Sequence, residues 1–95
     1  IFIGFFNQII NKGVLPLNLK TIKFSNMFNQ IIDCDVLPQS LKTIQFGIYY
    51  SKTVHEGVLP DNILKIVFVQ AELIINTLNH LKLIPRRHQN KVSFT

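Results

Sequence analysis

FNQIINKGVLP at Phe6–Pro16 and FNQIIDCDVLP at Phe28–Pro38 are nearly the same phrase, written twice in a chain of 95. Compared as whole units, 6–27 and 28–49 agree at 13 of 22 positions: FNQII, VLP, LKTI and one further Phe. The third unit, 50–71, keeps VLP but reads YSKTV where the others read FNQII. The period shows as columns. Val14, Val36 and Val58 open the VLP triplets, and Phe2, Phe24, Phe46 and Phe68 form a second phase. Leu19, Leu41 and Ile63 form a third, and Ile22, Ile44 and Ile66 a fourth. A fixed period of this kind marks a repeat architecture, because one unit cannot bury its apolar face alone. The organisation expected is a part-unit at 1–5, units at 6–27, 28–49 and 50–71, and a terminal segment at 72–95.

A unit of this length is too short for a pair of helices and suits a leucine-rich-repeat-like coil. LKTIKF and LKTIQF follow L-x-x-L-x-L with Phe in the last slot. Ile22 and Phe24 fall on one side of an extended strand, Thr21 and Lys23 on the other. Stacked units then pair these short strands in parallel, about 4.8 Å apart. Pro16, Pro38 and Pro60 lack an N–H and fix φ, which suits a turn just before the strand and not the strand itself. The Phe of FNQII and the Ile after it are expected to turn inward on the opposite wall. Asn7 and Asn29 recur in register and can lie inside as a ladder that bonds backbone groups at a corner between coils; exposed turn formers are the alternative. With Ser51 in this slot, any ladder weakens at the third unit.

The order F-N-x-x-I, L-P, L-x-x-I-x-F resembles the FNIP repeat, a leucine-rich-repeat-like family of slime moulds and giant DNA viruses, over Ile1 to about Ala71. The resemblance implies a solenoid scaffold of many copies with no established enzymatic activity. The expected fold is a β-rich, right-handed, leucine-rich-repeat-like repeat solenoid of three to four coils, with short parallel strands and a C-terminal cap segment.

Both ends depart from the repeat. AELIINTLNHLKLI, from Ala71 to Ile84, spaces Ala71, Ile74, Ile75, Leu78 and Leu81 as one face of a helix. An amphipathic helical cap is expected there; LNHLKL at Leu78–Leu83 as a shortened strand-bearing coil is the competing reading. Pro85 should end it. Ile1 enters in mid-repeat, so further residues are expected upstream.

Composition narrows the function classes. The chain is 47% hydrophobic with a mean hydropathy of +0.27, enough for a core and against disorder. Polar residues interrupt every apolar run well short of the roughly 18 residues that a membrane helix needs. No secretory leader is expected in this stretch. One cysteine, Cys34, excludes an internal disulfide framework and fits a reducing, intracellular setting. Of the net charge of +5, Arg86, Arg87 and Lys91 supply three in the last stretch. A solvated, partly disordered basic tail is expected there, with contact to an acidic partner as the other reading.

Catalytic chemistry is not expected. His55, His80 and His88 lack metal-ligand spacing with Cys, Asp or Glu. Asp33 and Asp35 flank Cys34 and work against a reactive thiolate, and in a turn they are solvated rather than a catalytic dyad. There is no glycine-rich phosphate loop or nucleophile elbow. No cofactor and no metal are expected. What remains is the outward strand face: Thr21, Thr43 and Lys65 in one row, Lys23, Gln45 and Val67 in the next. Such extended surfaces bind partners in repeat proteins, so another protein is the expected partner, with no membrane contact. Lys20, Lys23, Lys42 and Lys65 with the tail offer a modest basic stripe, but the phenylalanines are committed to the core, so nucleic acid is the weaker reading. A structural spacer role is the other alternative. In IVFV, Val67 and Val69 would stand exposed opposite Ile66 and Phe68, and either the C-terminal segment or a partner must cover them.

Overall fold

The structure, a computed structural model, describes residues 2–3, 7–69 and 77–95. Among these, five short strands form one parallel sheet in the order of the sequence: β1 (Phe2–Ile3), β2 (Thr21–Phe24), β3 (Thr43–Phe46), β4 (Lys65–Phe68) and β5 (Val92–Phe94). Thr21 lies beside Thr43 and Thr43 beside Lys65, while Ile22, Ile44 and Ile66 line up across the middle. The sequence period is therefore the strand register itself. At β1 the register falls one position short of the period. Phe2 pairs with Lys23 and Ile3 stands beside Phe24, so Phe2 does not occupy the phenylalanine column expected for it.

The core lies on one side of this sheet. Ile22, Ile44 and Ile66 are fully buried, as are Phe46 and Phe68, with Phe24 nearly so. Their rings stack on one another, at 5.7 Å between Phe24 and Phe46 and 5.2 Å between Phe46 and Phe68. The Phe of FNQII turns inward to meet them: Phe28 lies 4.2 Å from Phe24, and Tyr50, in the same slot of the third unit, 4.3 Å from Phe46. Of the two isoleucines in FNQII the second is the inward one. Ile32 is buried where Ile31 is exposed, and Ile10 is more covered than Ile9. Tyr50 keeps its hydroxyl satisfied by donating to the Gln30 carbonyl at 3.1 Å.

The turns are as periodic as the strands. The amides of Leu19, Leu41 and Ile63 each donate to the carbonyl of the Pro that opens the turn, Pro16, Pro38 and Pro60 respectively. Just before VLP, Gly13, Asp35 and Gly57 share one column and one conformation, with φ of 81°, 69° and 86°. Glycine adopts this region freely and aspartate tolerates it, so residue choice there follows backbone need. Gly47 has a different reason: a Cβ would come within 2.5 Å of the Asn26 Cα, so only hydrogen fits between the units.

The asparagine ladder exists at a corner between units, as expected, but it is half-exposed and not inside. Asn7 Oδ1 accepts the Asn29 amide at 2.7 Å, and Asn29 Oδ1 accepts the Ser51 amide at 2.9 Å. A second step of this kind joins the Ile48 amide to Asn26 Oδ1 at 3.1 Å. Each side-chain oxygen accepts a backbone amide one period further along the chain.

The C-terminal stretch departs most from expectation. Thr77–Lys82 is a short helix, α1, so LNHLKL is not a strand-bearing coil; Ala71–Asn76 of the expected cap lie outside the described residues. The basic stretch is not a loose tail. It forms a 3₁₀ turn over Arg86–Lys91 and then β5, which pairs with β4 through Ile66–Val92, Val67–Ser93 and Phe68–Phe94. The reason is a degenerate further unit. Leu83-Ile84-Pro85 stands where the others have VLP, and the His88 amide donates to the Pro85 carbonyl as Ile63 does to Pro60. His88 thereby takes the buried Leu41/Ile63 slot, and His80 stacks on Phe68 at 4.7 Å as Tyr50 does on Phe46. Val92 and Phe94 close the columns of Ile66 and Phe68, later in the chain than the period would place them.

Candidate interaction face

The outward side of β2–β4 carries the side chains the core does not use. Lys23 and Lys65 are exposed, and Thr21, Thr43 and Gln45 are partly covered. The register brings them together as two rows across the sheet, Thr21–Thr43–Lys65 and Lys23–Gln45. Val67, expected to complete the second row in the open, is only 5% exposed. Its pairing with Ser93 on one side and Gln45 on the other places it inside the enlarged sheet, and it is not available as a contact residue. Val69 is half-covered, its amide donating to the Phe46 carbonyl at 3.0 Å.

The strand entrances add what the alternation of a strand does not show. The Lys20 carbonyl accepts two amides, Lys42 at 2.8 Å and Thr43 at 3.0 Å. The Lys42 carbonyl likewise takes Leu64 at 2.9 Å and Lys65 at 3.1 Å. This doubled step interrupts the alternation, so two consecutive residues, such as Lys42 and Thr43, both escape full burial. Lys20 and Lys42 thus flank the entrances of β2 and β3. Lys91 precedes β5 beside Lys65, because Val92 pairs with Ile66.

Elsewhere the chemistry is structural. Arg87 pairs with Glu56 at 3.4 Å and with Asp61, tying the last stretch to the third unit. The two buried histidines are held toward the neutral form. Burial lowers the pKa of both, and at His88 the neighbouring Arg87 adds to this while Glu56 and Asp61 oppose it. His80 Nδ1 is buried without a partner. Cys34 is exposed, its thiol 3.9 Å from the Glu56 carbonyl. Among the described residues, no group of three His, Cys, Asp or Glu side chains could hold a metal ion, and no helix is long and apolar enough to cross a membrane.

Sequence reasoning missed Lys91, His88 and Phe94 as members of the repeat. A signal was present: Pro85 precedes Phe94 by nine positions, where Pro16, Pro38 and Pro60 precede their phenylalanines by eight. Pro85 also follows Pro60 by 25 positions where the other prolines are 22 apart, so Phe94 falls four positions off the period and the match was hidden.

The geometry defines a class, a small parallel-sheet protein whose strands come from a tandem sequence repeat. Residues 6–49 match the FNIP Repeat family. Over that stretch the chain carries FNIP repeats. No curated protein and no solved structure matches it.

Proposed function

We propose that the chain is a non-catalytic interaction module, a short leucine-rich-repeat-like solenoid that presents the outward face of its parallel sheet to another protein. The observation that carries this reading is the pair of rows built from Thr21, Lys23, Thr43, Gln45 and Lys65. Adjacent strands hold them in fixed register, and the core on the far side makes the platform rigid. Parallel neighbours need crossover connections, and a right-handed path satisfies that need.

A spacer role in a longer array is the second reading, favoured by one observation. Val14 is 65% exposed where Val36 and Val58, in the same column, are 4% and 3%. At Val14 an apolar side chain that the later units cover is left open. The test is a pull-down from the native host with the wild-type chain beside a Lys23→Ala/Gln45→Ala/Lys65→Ala variant. A partner identified with the first and lost with the second supports the interaction module. Equal capture by both removes the sheet face from the reading, and no specific partner for either moves it to the spacer.

A further inference from the structure

The sheet brings together positive charges that are scattered in the sequence. Lys20 and Lys42 precede β2 and β3, while Lys65 begins β4 in register with Thr21 and Thr43 and Lys91 precedes β5 at the level of Lys65, so the four form a line stepped by one residue between β3 and β4; exposed Lys23 stands behind them on the face. None of the five takes part in an ion pair among the described residues. The described acidic side chains are elsewhere. Asp33, Asp35 and Glu56 lie in the turns that lead into the VLP triplets, and Asp61 follows Pro60. Glu56 and Asp61 are already paired with Arg87, so the acids nearest the last unit are engaged. Among the described residues, the stepped lysine line therefore has no acidic side chain paired with it.

From this we propose that the partner contact of the sheet is an acidic, extended peptide segment that crosses the strand entrances and places carboxylates against Lys20, Lys42, Lys65 and Lys91. The proposal rests on the interaction-module reading and names the chemistry of its partner. Three strand spacings of about 4.8 Å give a line of roughly 14 Å, which an extended chain rising about 3.3 Å per residue covers with four to five residues. A run of Asp and Glu of that length meets one lysine per strand. The lysines act as separate point charges on flexible stems, which suits carboxylates spaced along a chain better than one bidentate site. Nucleic acid would also bring negative charge, but among the described residues the face lacks a stacking platform. Phe24, Phe28, Phe46 and Phe68 are buried, and exposed Tyr49 lies beyond the opposite ends of the strands.

The experiment measures binding of the whole 95-residue chain to a fluorescein-labelled octa-glutamate peptide, with a serine–glutamine octamer and labelled oligo-dT of equal length as controls. Wild-type chain should bind octa-glutamate saturably and ignore the neutral peptide. Affinity should weaken by about tenfold or more between about 50 and 300 mM salt, since the contacts are exposed charge pairs. The variant Lys20→Gln/Lys42→Gln/Lys65→Gln/Lys91→Gln should lose at least about tenfold in affinity. The variant Lys12→Gln/Lys52→Gln/Lys82→Gln/Arg86→Gln loses the same charge away from the line and should bind nearly as well as wild type. Unchanged far-UV circular dichroism and melting temperature establish that both variants fold. Equal loss in the two variants would overturn the proposal in favour of unspecific charge attraction. Tighter binding of oligo-dT than of octa-glutamate would overturn it in favour of nucleic acid. No binding of octa-glutamate, with a host partner still lost by the Lys23/Gln45/Lys65 substitution, would overturn the acidic segment while sparing the interaction module.

Discussion

Replacing Phe46 by Ala tests the shared aromatic column at its centre. Phe46 is fully buried, and its ring lies against Tyr50 at 4.3 Å, Phe68 at 5.2 Å and Phe24 at 5.7 Å. A phenylalanine of roughly 200 Å² contributes about 5 kcal/mol of transfer free energy at about 25 cal/mol per Å². The alanine retains part of that, while the cavity and the lost ring contacts add to the cost, so the net loss should be about 3–5 kcal/mol. A domain of this size has only about 5–15 kcal/mol in total, so the variant should be close to unfolding at room temperature. The assay is a urea titration at pH 7.5 followed by far-UV circular dichroism, comparing midpoints at equal m-value. Tyr49→Ala is the matched control. That side chain is 62% exposed, and its loss should shift stability by less than about 0.5 kcal/mol. A cost below about 1 kcal/mol at Phe46 would refute the stacked column and mean that the strand phase is off by one residue.

Four further outcomes follow from individual contacts. Asp35→Gly should stabilise the chain by up to about 1 kcal/mol, because φ at Asp35 is 69°, while Gly57→Ala should cost about 1 kcal/mol at φ 86°; opposite signs in thermal melts are the check. Gly47→Ala should cost about 1–3 kcal/mol in the same melts, since its Cβ would meet the backbone of Ser25 and Asn26 at 2.5 Å, and a neutral result would show that the units can separate freely. Asn29→Ala removes the acceptor for the Ser51 amide and should cost about 1 kcal/mol by urea titration. For pH, burial depresses the pKa of His80 and His88 in the folded state, so the unfolded chain binds more protons once pH falls below the ordinary histidine value of about 6.5. Stability should hold above that pH and fall as acid is added, and His80→Phe/His88→Leu, which restores the column residues, should flatten the slope measured between pH 7 and 5.

The repeat was legible because its period is also its register. Columns one period apart in sequence become neighbours across parallel strands, so Ile22–Ile44–Ile66 and Phe24–Phe46–Phe68 could be read from spacing alone. The same alternation placed Thr21, Lys23, Thr43, Gln45 and Lys65 on the outer side. It placed Val67 there too, and in that case alternation was not enough. Whether an outward residue reaches solvent depends on what lies beside and above it, and β5 makes β4 an inner strand.

The amino-acid sequence by itself determined the unit, its length, the strand and turn within it, and which aromatic and aliphatic side chains face the core. Those features depend on local alternation and on residues that repeat. Only the tertiary structure decided that the basic C-terminal stretch folds back as a strand, because the match is displaced by four extra residues and carries histidines in apolar slots. His88 reads as polar in sequence; packed in the leucine slot, with its amide bonded to Pro85, it is core. Lys91 stands off the period from Lys65, yet pairing of Val92 with Ile66 sets it next in the lysine line. Spacing specifies contacts while the period holds. Where the period breaks, backbone pairing and burial decide which residues meet.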